Sequence, residues 1–374
     1  MPAKKRVLVA MSGGVDSSVT AYLLKSQGYD CMGATMRLTC SRSFDEMRER
    51  SCCSLRDLED AEAVCAGLGI PWQAVDLRET FSRRVIDKFV ASYEAGLTPN
   101  PCIDCNRYLK FGALMDYARA QGCDYVATGH YARVARTDGG TWTLSRGIDP
   151  AKDQSYVLYP LTQERLARTL LPLGGLLKGR DVRRIAAEQG FGNAGKPDSQ
   201  GICFCPDDDF AGFIEDREGH PLPEGDILDA SGAVIGRHRG AARYTIGQRK
   251  GLGVAMLHPV YVTAVDTSAN TVTLGEEADL MAGALVADDW IWSAPRARME
   301  RALDGAGRDG VPVSAKVRYH QPHQGARLLR GPQDGTYLVR FERPQRAIAP
   351  GQAVVAYEGD VVLGGGRVRE ALKG

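Results

Sequence analysis

The chain predicts an α/β fold in its first half, a doubly wound parallel sheet, followed by a small β-rich unit and a C-terminal β-barrel. Apolar runs of strand length alternate with helix-period segments from Val7 to about His130. A Ser-Gly-Gly turn joins the first strand to the first helix. From about Asp207 the texture changes: Gly and Pro become frequent, and short alternating runs replace the strand–helix alternation. At 374 residues the chain is too long for one compact core. These changes divide it into residues 1–206, 207–282 and 283–374.

Residues 7–11 read as a buried strand that breaks at Ser12-Gly13-Gly14. Val15, Val19, Tyr22 and Leu23 then share one helix face, and Gly28 stops that helix. Residues 31–38 are a second strand, and the polar, Arg-rich stretch 39–54 reads as a loop. A helix over 55–68 presents Leu58, Ala61, Val64, Cys65 and Leu68, and ends at Gly69 with Pro71 beyond. A strand at 72–77, helices at 79–96 and 110–121, and a strand at 125–128 follow. In a parallel sheet the carboxyl ends of the strands share one edge. The loop at Ser12, Met36 and Gly129-His130 are therefore expected together. Residues 166–191 hold more helical material, and 196–206 form a Gly- and Pro-punctuated loop. Further on, 260–265 and 271–274 read as a hairpin, 313–319 and 337–341 alternate, and 354–357 and 361–363 flank the turn Glu358-Gly359-Asp360. Trp290 and Trp292 are expected in a core.

Charged residues are 25% and apolar residues 44%, an ordinary globular balance. The start of the chain does not read as a signal peptide, and no apolar run approaches the ~20 residues of a membrane span. A cytoplasmic location is the expectation. A net charge of +1 neither announces nor excludes nucleic-acid binding, because a local basic face is enough. Ten cysteines in a chain of this kind are not expected to form a disulfide framework. Cys31, Cys65 and Cys123 sit in apolar or helical patterns and read as buried hydrophobes. Cys40, Cys52, Cys53, Cys102, Cys105, Cys203 and Cys205 lie near turns or polar residues and are the chemical candidates.

Strand, glycine turn, helix is the arrangement that aims backbone N–H groups and a helix dipole at a phosphate. Ser12, Ser17 and Ser18 add hydroxyls, and Asp16 can orient a metal or a nucleophile. No Gly-Lys-Ser/Thr follows the glycines, and no Gly-x-Gly-x-x-Gly is present. What stands here, Ser-Gly-Gly-x-Asp-Ser-Ser, resembles the pyrophosphate loop of ATP pyrophosphatases, which adenylate a substrate oxygen and release pyrophosphate. Asn100-Pro101 starts a turn, so Cys102 and Cys105 are expected just before the helix near Lys110, where a thiol is acidified. Taken alone, that Cys-x-x-Cys is a redox pair, a metal-ligand pair or an accident. Cys203 and Cys205 lie far along the chain, so only folding can unite them with Cys105. Arg296, Arg298, Arg301, Lys316, Arg318, Arg327 and Arg330, with Tyr319, His320 and His323 between them, could line an RNA-binding face, although charges on a barrel are more often simply solvated. Gln248-Arg249-Lys250, in the turn at 245–253, is a backbone-contact candidate.

Six motifs, in order, carry a more specific resemblance: Ser12 to Ser18, Asn100 to Asn106, Ala127-Thr128-Gly129-His130-Tyr131-Ala132, Lys152-Asp153-Gln154-Ser155-Tyr156, Gly201-Ile202-Cys203-Phe204, and Thr245 to Gly253. Together they resemble the bacterial tRNA-specific 2-thiouridylases. The resemblance implies an adenine nucleotide hydrolase-like first domain, a small central domain and a C-terminal β-barrel. It implies ATP-dependent 2-thiolation of the wobble uridine of tRNA. Ala10, Met11, Ser12, Gly13, Gly14, Val15, Asp16 and Ser17 would bind ATP with Mg2+, with Met36 and Gly129 completing the pocket. Cys105 is similar to the family's nucleophile, and Cys203 to the cysteine that carries persulfide sulfur. Asn100, Pro101, Cys102, His130, Lys152, Asp153, Gln154, Arg318, Tyr319 and Gln352 match tRNA-contact positions. The implied partners are tRNA and a persulfide sulfur donor, either a cysteine desulfurase or a sulfur-relay protein.

One departure stands out. Many members carry an aspartate, proposed as an acid/base group, where this chain has Cys102; Asp104 is nearby but two positions on. Two sulfur routes stay open: a Cys105–Cys203 disulfide cycle, or a four-iron, four-sulfur cluster on Cys102, Cys105 and Cys203. Another adenylating enzyme of the same loop class, and a non-catalytic RNA-binding protein, are the rival readings.

Overall fold

A computed structural model describes residues 4–38, 55–198, 201–205 and 209–373. The expected loop at 39–54 and the candidates Cys40, Cys52 and Cys53 lie outside the described residues. The first sheet is parallel, in the order β3-β2-β1-β4-β7, from Trp72–Asp76, Asp30–Arg37, Arg6–Ala10, Tyr125–Ala127 and Thr169–Leu170. Alternation along β1 explains its central place. Val7 and Val9 pack on helices α1 (Val15–Ser26) and α2 (Leu55–Leu68) on one face. Leu8 packs on the opposite face with Phe111, Leu114, Met115 and Ala118. The sheet is thus wound on both sides, as the strand–helix alternation predicts. The chain steps outward from β1 to β2 and β3, then returns to β4 on the other side of β1. The crevice between β1 and β4 is therefore the topological switch point, where ligands of such sheets bind.

Helix α3 runs through Arg78–Phe81, Ser82–Ile86 and Asp87–Glu94, with π-type bonding in its middle segment. Helix α4 runs through Pro101–Asp104, Cys105–Ala113 and Leu114–Ala120, again with a π-type centre. It starts about two turns earlier than the apolar periodicity predicts. Pro101 stands in its first turn, where a missing N–H costs nothing, and Asn100 before it is extended. Cys102 and Cys105 are therefore inside the helix and not ahead of it.

The second sheet has the order β10-β11-β8-β9, from Tyr261–Asp266, Thr271–Gly275, Gly225–Leu228 and Val234–His238, around Ile227, Val262, Val272 and Leu274. The expected hairpin at 260–274 is the β10–β11 pair. The third sheet has the order β12-β15-β14-β13-β16-β17, from Met281–Trp292, Tyr337–Arg346, Gln324–Arg330, Val311–Lys316, Ala353–Glu358 and Val361–Leu372. Pairing of β12 with β17 closes these six strands into a barrel, which removes their free edges. Trp292 is buried in its core, edge-on to Tyr337.

Two elements depart from the sequence reading. The hairpin β5–β6 (Ala132–Arg136 and Trp142–Arg146) leaves the first sheet and pairs onto β17 of the barrel. Helix α5 (Arg296–Ala306) stands where strands were expected to continue, with only Met299 and Leu303 buried. Those two apolar positions are too few to register as a helical stripe. Among the described residues no helix is long and apolar enough to cross a membrane.

Candidate active site

The loop between β1 and α1 is closed on itself. Gly13 has φ +72° and packs so tightly that a Cβ there would lie 2.4 Å from the Asp57 carbonyl oxygen. The Ser17 hydroxyl donates to Gly14 O at 2.9 Å and accepts from Ser12 N–H at 3.2 Å. The Ser18 hydroxyl also donates to Gly14 O, at 3.1 Å. Ser17 and Ser18 are buried, so their hydroxyls staple the loop and do not face outward as donors; Ser12 is the exposed one. Gly129 closes the loop from β4, since a Cβ there would lie 2.9 Å from Asp16 backbone carbon. Ala10, Met11 and Gly14 to Ser17 thus meet Gly129 at the switch point. Met36, two pairings along β2, packs partly buried between the two apolar clusters on that side. In Gly13→Ala the backbone strain and the collision are expected to lower unfolding free energy by about 1–3 kcal/mol and to weaken ATP binding. Urea unfolding and nucleotide titration measure the two effects.

Polar residues that the sequence reading did not single out surround this loop. The Lys178 ammonium lies 2.7 Å from Asp16 Oδ2 and 2.8 Å from Asp198 Oδ1, and is almost wholly buried. The Tyr131 hydroxyl donates to Asp16 Oδ1 at 2.7 Å. Lys152 and Arg183 reach Asp198 at 2.9 and 3.1 Å. Burial works to raise the Asp198 carboxyl, yet Lys178 and Lys152 hold it down at about 2. Asn193 donates to Gly13 O at 3.0 Å and to Ser18 Oγ at 2.9 Å, while its buried Oδ1 has no hydrogen-bond partner among the described residues. Lys196 donates to Gly13 O at 3.3 Å and pairs with Asp57 and Asp60 at 2.6 and 2.8 Å. Lone lysines, a tyrosine and an asparagine carry no spacing signature, which is why only Asp16 and Lys152 of this set were singled out as site residues. The left-handed glycine turn at the start of a helix, with Lys178 and Lys196 beside it, fits a polyphosphate.

The thiols divide by environment. Burial pushes Cys31 up to about 11 and Cys65 up to about 12, and raises Cys123, so these three are inert. Cys105 and Cys203, both half-buried, pack against one apolar cluster of Phe81, Phe89, Leu109 and Phe204. The fold thus places two cysteines that the sequence keeps far apart on the same apolar cluster. Cys102 is exposed in the first turn of α4, and its charge acts on Tyr319. The helix-dipole argument applies to that first turn; Cys105 sits one turn further in. Asp104 does not share their face. It is buried against Lys88 at 2.6 Å, and burial raises its carboxyl against the pull of Lys88 and Arg107. Among the described residues no group of three His, Cys, Asp or Glu side chains is placed to hold a metal ion. The three thiols as arranged do not fit an iron–sulfur cluster, and the described residues offer no ready Mg2+ cage. A Mg2+ arriving with ATP would be held chiefly by phosphates.

The expected RNA-contact positions fall into three groups. Asn100 and Gln352 line one narrow cleft, with Gln352 donating to Thr98 O at 3.1 Å; Pro101, next to Asn100, is buried. His130, Asp153 and Gln154 point inward. His130 Nδ1 is 2.6 Å from Thr128 Oγ1, and burial, then Lys110, pushes the ring well below its usual value, so it is neutral. Asp153 accepts from Gly147 and Ser155, and Gln154 accepts from Tyr131 N–H. These side chains hold the junction between the parallel sheet and the barrel. Lys152 reaches the loop network through Asp198. Tyr319 stands edge-on to Tyr156, and Arg318 donates to Ala347 O at 2.5 Å.

The basic residues weighed as a face on the barrel are largely engaged by partners within the chain. Arg296 and Arg298 lie on α5, paired with Glu300 at 3.3 Å and Glu358 at 2.7 Å. Arg301 is exposed on the same helix. Arg330 pairs with Glu300 and Asp304. Lys316 is buried over Tyr156 and Tyr319, Arg327 reaches Gly310 O, and burial lowers His323 to about 4. Arg318, Tyr319 and His320 remain together at the barrel rim.

The family described as tRNA methyl transferase HUP domain matches residues 5–207. Its PRC-barrel companion matches 212–276, and the aminomethyltransferase beta-barrel domain matches 283–368. Full-length relatives bear a different activity in their names. The tRNA-specific 2-thiouridylase of Symbiobacterium thermophilum is 47% identical over 99% of this chain and 94% of its own. Those of Lachnoclostridium phytofermentans and Geobacter metallireducens are 44% and 45% identical, over 97% and 99% of this chain and 99% and 98% of theirs.

Proposed function

The chain belongs to the tRNA-specific 2-thiouridylase family, and on that premise we propose that it adenylates the C2 oxygen of the wobble uridine of tRNA and replaces that oxygen with sulfur. The observation that carries the reading is the pairing of a polyphosphate cradle at the switch point with two cysteines from distant segments on one apolar cluster. Replacing a carbonyl oxygen by sulfur needs a leaving group and a sulfur nucleophile. The uridine oxygen attacks the α-phosphorus of ATP, and pyrophosphate leaves. Backbone N–H groups of the loop and Lys178 stabilise the charge that develops on phosphate. Mg2+ brought by ATP would add to that screening.

The sulfur step supported best is the disulfide cycle. The terminal sulfur of a Cys203 persulfide attacks C2, a carbon–sulfur bond forms, and AMP leaves. The Cys105 thiolate then attacks Cys203 Sγ, the persulfide S–S bond breaks, and 2-thiouridine departs with that electron pair. A Cys105–Cys203 disulfide remains, and an external dithiol reduces it. A persulfide donor, a desulfurase or relay protein, reloads Cys203. The cluster alternative would need Cys102 as an iron ligand, and among the described residues no three such side chains are placed to share a metal ion. Action on tRNA with ATP supports a cytoplasmic location.

An ATP–pyrophosphate exchange assay with and without tRNA, followed by nucleoside analysis for 2-thiouridine, tests the function. Exchange without thiolation under a persulfide donor would favour another adenylating enzyme. Binding of tRNA is expected to weaken steeply with salt despite the +1 net charge, because each phosphate contact releases counterions. A dissociation constant unchanged across a potassium chloride series would contradict a tRNA substrate.

A further inference from the structure

The residue read as the sulfur carrier stands between two anchors. Phe204, next to Cys203, is buried edge-on to Phe81 and Phe89, with ring centroids 5.7 and 5.2 Å apart. Asp198, five residues before Cys203, is held by three cations: Lys178 at 2.8 Å, Lys152 at 2.9 Å and Arg183 at 3.1 Å. Five residues span at most about 18 Å of extended chain, so the place of Asp198 limits where Cys203 can stand.

Residues 191–198 form neither strand nor helix, so side chains and their partners fix the path of this segment. On one side stands the phosphate loop. Asn193 donates to Gly13 O and Ser18 Oγ, and Lys196 holds Gly13 O, Asp57 and Asp60. On the other side stands the helical stretch made of Lys178–Val182 and Arg183–Glu188. Its Val182 and Ala186 are buried against Val15 and Val19 of α1. Arg183 donates to Ala194 O at 3.0 Å, to Lys196 O at 3.3 Å and to Asp198 Oδ1 at 3.1 Å. A planar guanidinium that holds two carbonyls and a carboxylate of one short segment fixes its course. The partners of Arg183 among the described residues lie on this segment and not on the phosphate loop. Lys178, on the same helical stretch, joins Asp198 to Asp16 of the loop. The segment that leads to Cys203 is thus registered on the nucleotide site by buried and half-buried ions.

We propose that Arg183 and Asp198 are positioning residues for sulfur transfer: they seat the segment before Cys203 against the phosphate loop, so that persulfide sulfur meets C2 where the uridine oxygen is adenylated. The proposal deepens the reading of the chain as a tRNA-thiolating enzyme and rests on it. Both residues act through Cys203 and not on the reacting atoms themselves. When sulfur is misplaced, water takes its part. The water oxygen bonds to C2, AMP leaves with the electron pair of the C2–O bond, one water proton restores N3–H and the other goes to solvent. Uridine is regenerated, and ATP is spent without thiolation.

The test uses the full chain, a tRNA transcript, ATP, and a cysteine desulfurase with cysteine as the sulfur source. Arg183 is half-exposed, so its replacement leaves the core intact. Arg183→Ala is expected to lower the 2-thiouridine formed per AMP about tenfold, while AMP formation itself stays within about threefold. Arg183→Lys keeps a cation for Asp198 and should recover part of that ratio. Alkylation of Cys203 by iodoacetamide, read by peptide mass spectrometry with Cys102 as internal reference, reports the hold on the segment without tRNA. Its rate should rise about threefold or more in Arg183→Ala and in Asp198→Asn, against an unchanged Cys102. An unchanged ratio of 2-thiouridine to AMP in Arg183→Ala would overturn the proposal, including when both products fall together, which marks a merely structural residue. A fallen ratio with Cys203 alkylated at the wild-type rate would move the effect away from the segment and overturn it as well. A wild-type chain that forms neither AMP nor 2-thiouridine with tRNA would overturn the function beneath it, whereas the alkylation rates would still decide whether these two residues hold Cys203.

Discussion

Asp16→Ala is expected to lose uridine adenylation by at least about a hundredfold, the scale of removing one preorganised electrostatic element from a charge-developing site. The carboxylate anchors two groups at the mouth of the phosphate loop. It accepts from Tyr131 at 2.7 Å and pairs with Lys178 at 2.7 Å. Without it Lys178 keeps only Asp198, 2.8 Å away on the other side, and is drawn off the loop. A loop residue read from sequence alone would be expected to face ligand and to change stability little. The geometry reverses that expectation. A buried ammonium that loses one of two carboxylates and a buried phenol that loses its acceptor should together lower unfolding free energy by about 1–3 kcal/mol. Asp16→Asn keeps an acceptor for Tyr131 and should recover part of the stability but little of the adenylation. AMP formation in the presence of tRNA, with urea unfolding of the same preparations, measures both. Normal AMP formation by Asp16→Ala would move the nucleotide site away from this loop.

The parallel sheet and the loop were legible because both depend on local pattern. Val7 to Met11 alternate between two buried faces, and the Ser-Gly-Gly break between strand and helix is visible in the sequence itself. The closed barrel was legible in kind, through short alternating runs, but its closure was not. Pairing of β12 with β17 joins segments some seventy residues apart, and no local signal reports it. Helix α4 was placed late because the apolar stripe begins at Leu109, whereas Pro101 and the buried Ile103 open the helix in polar company. The same error moved Cys102 and Cys105 from the helix into an imagined turn. Whether the barrel arginines form a face could not be read from the sequence for a related reason. Counting arginines ignores their partners, and Glu300, Asp304 and Glu358 are spread along the chain. Lys178, Asn193 and Lys196 were invisible as site residues because their roles come only from where three loops converge.

Cys105→Ala and Cys203→Ala are each expected to abolish thiolation, by at least about a thousandfold, while uridine adenylation stays within about threefold. The separation of effects follows from placement. Both thiols pack on the Phe81, Phe89 and Phe204 cluster, whereas the polyphosphate cradle is built by Gly13, Asn193, Lys178 and Gly129. Neither substitution touches that cradle. Loss of Cys203 removes the atom that carries persulfide, so no sulfur reaches C2. Loss of Cys105 leaves the mixed species between Cys203 and the nucleoside without its resolving thiolate, and a tRNA–protein adduct sensitive to added dithiothreitol should accumulate. Cys102→Ala separates the two sulfur routes. In the disulfide cycle Cys102 is an exposed neighbour on the first turn of α4, and thiolation should stay within about fivefold of wild type in air. If it were an iron ligand, its loss would remove iron and activity together. Iron content and 2-thiouridine yield of anaerobically prepared wild type and the three single variants decide the matter. Full thiolation by Cys105→Ala would refute the disulfide cycle, and full thiolation by Cys203→Ala would remove the persulfide step that both routes require.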